Sequence, residues 1–118
     1  MEFTTSTFDK YISQAMASLP QRFNAKLKNL ALVIDDQSQP RQGSNMILGN
    51  ILRSNFYPNK ITFFKKNIES ISPNEKVLAM NLYHIFHHEI GHYFGMSEGQ
   101  LRRKEQQINI YAKHAPYH

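Results

Sequence analysis

His84-Ile-Phe-His-His-Glu-Ile-Gly-His-Tyr-Phe-Gly-Met-Ser-Glu98 brings together the residue types that hold and use a divalent metal. Within it lies His88-Glu89-x-x-His92. On a helix, residues four apart stand one above the other, so both imidazoles can reach one ion. A catalytic zinc takes three protein ligands and keeps a fourth position open. Gly95 can end the helix in a left-handed cap that folds the chain back, offering Glu98 as the third ligand. Glu89, about a quarter turn around from His88, is placed to contact a metal-activated water as general base without binding the metal itself. With 6 His in 118 residues, about one shuffled sequence in eighty would contain the short pattern by chance; adding Gly95 and an acid at 98 reduces this to on the order of one in thirty thousand. The competing reading is a helix whose histidines merely line a solvent boundary. For Glu98 it is an acid favoured in the first turn of a following helix.

At about 100° per residue, Leu78, Ala79, Leu82, Ile85, Phe86, Ile90, Tyr93 and Phe94 cover one broad apolar arc, which predicts a largely buried helix. Asn81, His84, His88 and His92 form a polar ridge along one flank, with Glu89 between ridge and core. His84 is a candidate accessory or outer partner of the metal. His87 falls on the opposite side with Lys76 and Met80, as a surface residue.

The elements leading up to this helix can be read in order. Ser6 can cap a helix on which Phe8, Ile12, Ala15, Met16 and Leu19 recur, ending at Pro20. Pro20 can open a shorter helix carrying Phe23, Leu27 and Leu30. Leu30-Ala-Leu-Val-Ile-Asp35 predicts a buried strand ending in a turn, where Asp35 and Asp36 read as turn acids rather than ion ligands. Residues 37–45 are polar, with Pro40 and Gly43, and read as a loop or flap; 46–53 read as a short strand or irregular edge. Lys60-Ile-Thr-Phe-Phe-Lys65 predicts a strand, followed by a helical turn over 67–71. Ser72-Pro73-Asn74-Glu75 predicts a helix start with Ser72 as cap, so the histidine-bearing helix runs from about 73 to 93 or 94. Ser97-Glu98-Gly99-Gln100 opens a last helix reaching about 112.

The length suits a single domain over 1–118. Hydrophobic content of 41% and charged content of 19% are those of a folded globular protein, and no apolar run approaches a membrane span. The start of the chain does not read as a secretion signal. Cysteine is absent, so thiolate ligands and disulfides are excluded, which fits a cytoplasmic protein. A net charge of +5 would attract acidic partners, including nucleic acid, but the basic residues are scattered apart from Lys65-Lys66 and Arg102-Arg103-Lys104.

With these elements in place, the sequence resembles the small bacterial zincin-like metallopeptidases, a compact family long catalogued as a domain of unknown function. The likeness rests on a first helix ending in Leu-Pro, strands like Leu30–Asp35 and 61–64, and His88, Glu89, His92, Gly95 and Glu98 in place of His-Glu-x-x-His-x-x-Gly-x-x-Asp. It implies an α+β minimal zincin-like fold: N-terminal helices, a small mixed sheet, a long active-site helix and a C-terminal helix. An edge strand there could align an extended peptide by backbone hydrogen bonds. It also implies a metallopeptidase-like site binding Zn2+. Glu98 replaces the commoner aspartate, and no methionine follows Met96, so the methionine turn of the larger metzincins is missing.

The leading expectation is therefore a monomeric zinc peptidase. His88, His92 and Glu98 hold the metal, Glu89 is the base, and the substrate is a peptide or protein, an acidic one suiting the chain's charge. Tyr57, Tyr111 and His114 are candidate oxyanion donors, and two imidazoles with a carboxylate also suit iron or nickel. One alternative reads 89–112 as a DNA-binding helix-turn-helix with a basic second helix, although Lys104 falls where that pattern wants an apolar residue. The other is a catalytically inactive, zinc-stabilised binding module.

Overall fold

The Lys60-Ile-Thr-Phe-Phe run forms the middle of a three-stranded sheet in the computed structural model, which describes residues 2–23, 27, 30–54 and 58–93. In chain order the elements are helix α1 (Thr5–Ala17), a 3₁₀ turn (Gln21–Phe23), strand β1 (Leu30–Asp35), the short strands β2 (Arg41–Gln42) and β3 (Asn45–Met46), strand β4 (Gly49–Leu52), strand β5 (Asn59–Phe64), helix α2 (Lys65–Ser70) and helix α3 (Glu75–Tyr93). β5 pairs in parallel with β1 and antiparallel with β4, giving a small mixed sheet of order β1-β5-β4 and an α+β fold.

The position of β5 explains its composition. A strand with neighbours on both sides and helices over the sheet is shielded throughout, and Ile61, Thr62, Phe63 and Phe64 are all buried. β1 departs from the buried strand expected. It is an edge strand with Ala31 exposed and Leu32 37% exposed, because only β5 covers its flank. At its end Asp35 Oδ1 accepts from the backbone N–H groups of Gln37 and Ser38, both at 2.9 Å. These bonds hold the Asp35 carboxyl below the usual carboxylate range. Asp35 is thus a turn residue, in line with its sequence reading.

Helix α1 begins earlier than expected. Its cap is Thr4 rather than Ser6, with Thr4 Oγ1 accepting from Thr7 N at 3.1 Å. Phe8, Ile12 and Ala15, spaced four and three apart, form its buried stripe, which packs along α3. Tyr11 donates to Glu75 at one end and Ser18 meets His87 at the other, so the two helices run in the same sense. After Pro20 the chain forms the 3₁₀ turn, and Leu27 of the short helix expected there is α-helical and buried; residues 24–26, 28 and 29 lie outside those described.

The loop expected over 37–45 contains a miniature hairpin, β2 against β3. Gly43 has φ 63° at the first central position of its two-residue turn, which is where a type II′ turn needs glycine. Asn67 of α2 locks the base of this hairpin. Its buried amide donates to Pro40 O at 3.0 Å and Ile47 O at 2.9 Å, one carbonyl from each limb.

Helix α3 starts at Glu75, and its cap is Asn74 rather than Ser72: Val77 N donates to Asn74 Oδ1 at 2.9 Å. Ser72 is unavailable because it is buried between two partners. It donates to Ile68 O at 2.7 Å and accepts from Asn81 Nδ2 at 3.0 Å. No described helix is long and apolar enough to cross a membrane. The Gly95 turn and the last helix expected over 97–112 fall outside the described residues.

Asn67→Ala should remove a donor from both carbonyls, leaving Pro40 O with its bond from Ile47 N, and destabilise the domain by about 1–3 kcal/mol. A urea midpoint lowered with an unchanged slope is the expected result.

Candidate metal centre

Helix α3 places apolar side chains at 78, 82 and 85, and the next two steps along that line are Glu89 and His92. Leu78, Leu82 and Ile85 are fully buried, and so is Glu89, at 1% exposure. The helix therefore carries a carboxylate into a position that its periodicity reserves for the core. Burying a carboxylate without strong local compensation costs several kcal/mol, so such a position is seldom occupied for packing alone.

His88, next to Glu89, is 3% exposed, and His92 is half-buried. Their Nε2 atoms face one another at 3.2 Å, with ring centroids 4.8 Å apart and planes crossing at 76°. Two nitrogens each about 2.0–2.1 Å from a tetrahedral zinc would stand about 3.3 Å apart. The pair thus has the separation of two ligands to one ion. The same separation also suits an N–H···N hydrogen bond between complementary tautomers, so the chemistry of the donor set fits zinc without requiring it.

Strand β4 forms the wall beside Glu89. A Cβ built on Gly49 would lie 2.9 Å from Ile85 Cγ2, 3.1 Å from Thr62 O and 3.8 Å from Glu89 Cγ. Only a residue without a side chain lets α3 lie this close to the sheet. Immediately after β4, Arg53 Nη2 donates to the carbonyls of His92, at 3.0 Å, and Tyr93. The Tyr93 hydroxyl in turn accepts from Asn59 Nδ2 at 2.8 Å.

The structure brings His88, Glu89 and His92 together at one end of α3. Glu98 and the oxyanion candidates Tyr57, Tyr111 and His114 lie outside the described residues, as does the helix-turn-helix stretch beyond 93. His84 is buried, edge-on to Tyr83 with centroids 5.6 Å apart. Among the described residues no three His, Asp or Glu side chains converge as a metal-binding group, so His84 does not join the pair as a third ligand. His87 is not the surface residue expected. It is half-buried, with Nε2 3.0 Å from Ser18 Oγ and its ring against Tyr83 at 4.2 Å, because α1 covers that side of the helix. Gly49 and Arg53 fall in the stretch read as a short strand or irregular edge, which gave them no place at the site. An isolated glycine in an apolar stretch was a usable signal for close backbone approach, whereas nothing local marks Arg53.

A His-Glu-x-x-His helix laid across a small mixed sheet beside an antiparallel edge strand defines the zincin class of architecture. The family model for zincin-like metallopeptidases matches residues 42–108, more than half of the chain, and the chain belongs to that family. Among solved structures, a conserved hypothetical protein from Thermus thermophilus is 15% identical, with a TM-score of 0.58 over 77% of this chain and 94% of that one; it shares the fold. No curated protein matches the chain.

Gly49→Ala should force Ile85 from its position or lift α3 from the sheet, at a cost of about 1–3 kcal/mol. A lowered thermal midpoint is expected, partly recovered when Ile85→Leu is added, because leucine lacks the Cγ2 branch that meets the new methyl.

Proposed function

We propose that this protein is a zinc-dependent peptidase in which His88, His92 and Glu98 hold the metal and Glu89 is the general base. The observation that carries this reading is the 3.2 Å facing of the His88 and His92 Nε2 atoms beside the buried Glu89, in a chain of the zincin-like metallopeptidase family. When bound, zinc supplies a Lewis acid for the scissile carbonyl and a water that is acidic near neutral pH.

The chain's own residues do the rest. Glu89 takes the proton of the attacking water and delivers it to the leaving amine. Its apolar surroundings, with Ile85 and Gly49 at its stem, keep bulk water away from that transfer. Strand β4, at the margin of the three-stranded sheet, runs beside the site and can align an extended peptide through its backbone. The net charge of +5 favours acidic peptides or proteins as substrates through long-range attraction.

The protein purified without added metal should contain about one zinc per chain by elemental analysis, and His88→Ala and His92→Ala should lose it. Glu89→Gln should keep the zinc and lower hydrolysis of a quenched-fluorescent peptide library by about 10²–10⁴-fold. Zinc-free wild type, even after reconstitution, would sink the proposal. Stoichiometric zinc without hydrolysis would leave a zinc-stabilised binding module. Glu98→Ala separates the two roles of that residue: a ligand loses metal, whereas a helix N-terminal acid costs only about 0.3–1 kcal/mol of stability.

A further inference from the structure

We infer that Arg53 is a positioning residue for His92 and a determinant of metal affinity, an inference that rests on the zinc reading above. His92 lies in the last described turn of α3, one turn on from His88. Two ligands four residues apart share one ion only while these turns keep their register. Arg53 ties the turn that bears His92 to the sheet. Its Nη2 donates to the carbonyls of both His92 and Tyr93, and its guanidinium lies over the Tyr93 ring at 5.2 Å.

The anchor is itself held in place. Asn59, at the start of β5, donates Nδ2 to the Tyr93 hydroxyl at 2.8 Å and accepts Ser54 N on Oδ1 at 2.9 Å. Ser54 follows Arg53, so contacts run from the end of β4 to β5, from β5 to the end of α3, and from there back to Arg53. This ring ties the turn bearing His92 to the sheet through side chains, independently of the packing along α3. A lysine could supply a positive charge and one donor nitrogen, but not the planar guanidinium that lies over the Tyr93 ring.

The test uses the metal-free full-length protein, with zinc affinity read by competition against a chromophoric chelator and ligand geometry by the visible absorption of added Co2+. Arg53→Met, which keeps the apolar stem, should weaken zinc by about 10–100-fold, the usual effect of losing a group that orients a ligand. It should also alter the cobalt band and speed amide exchange at 90–93 while leaving 78–86 protected. Arg53→Lys should recover part of the affinity. An Arg53→Met protein with zinc affinity within about twofold of wild type and an unchanged cobalt band overturns the inference, even if its melting point falls. Should Arg53→Met fail to fold, Tyr93→Phe, which keeps the ring and removes the hydroxyl that accepts from Asn59, should still lower zinc affinity several-fold; unchanged affinity overturns the inference. A wild type that takes up neither zinc nor cobalt overturns the metal reading and this inference with it, an outcome distinct from a defect confined to the variants.

Discussion

A carboxylate and an imidazole buried in the apolar body of a small domain are the constraint on which this structure turns. Glu89 and His88 are almost without exposed surface, on a helix whose neighbouring positions are leucine, isoleucine and phenylalanine. In an interior of low dielectric such groups gain strong interactions when matched and lose heavily when not. The rest of the architecture answers to that condition. The glycine on β4 lets the helix come close, the middle strand shields the sheet beneath it, and α1 closes the opposite side.

The long helix is secured by polar contacts at both ends and by apolar contacts between. At its start Asn74 satisfies an otherwise unpartnered N–H, and Asn81 reaches back to Ser72 and to the carbonyl of Ile71. At the turn that bears His92, Arg53 donates to the carbonyls of His92 and Tyr93. Between them Leu78, Leu82, Ile85, Phe86 and Ile90 are buried, each contributing about 1.5–3 kcal/mol through removal from water. The apolar stripe fixes which face of the helix turns inward, and the polar ends fix its position along its axis. Two side chains that must share one small target need both.

Much of this was legible in the sequence because the strongest signals are periodic. The 3.6-residue spacing from Leu78 to Tyr93 announced the buried helix, and the β-branched and aromatic run at 60–64 announced the central strand. The boundaries were less accessible because several residues can compete for one local role. Ser72 and Asn74 are both good caps, and only the tertiary demand of Asn81 and Ile68 for the serine hydroxyl settles the choice. Similarly, Ser6 yields to Thr4 because the helix begins earlier than its apolar stripe. The exposure of β1 depends on which strands flank it, a property of topology rather than of Leu30–Asp35 itself. At the site, the His-Glu-x-x-His spacing was explicit, since local geometry alone puts His88 and His92 on one face. Arg53 is far from them along the chain, and its partners are backbone carbonyls that carry no sequence signature.

The mixed sheet also orders the events of folding. β4 meets β5 through pairs as close as Leu52 and Lys60, whereas β1 meets β5 only across the span from Leu30 to Asn59. Closing the longer loop costs about 1 kcal/mol more chain entropy, so the antiparallel pair is the cheaper nucleus and the parallel strand joins later. The strand that walls the carboxylate is thus the one whose pairing costs less chain entropy, and the costlier pairing belongs to β1, on the sheet edge remote from the chemistry. Substitutions in β1 bear on that costlier pairing rather than on the wall of the site.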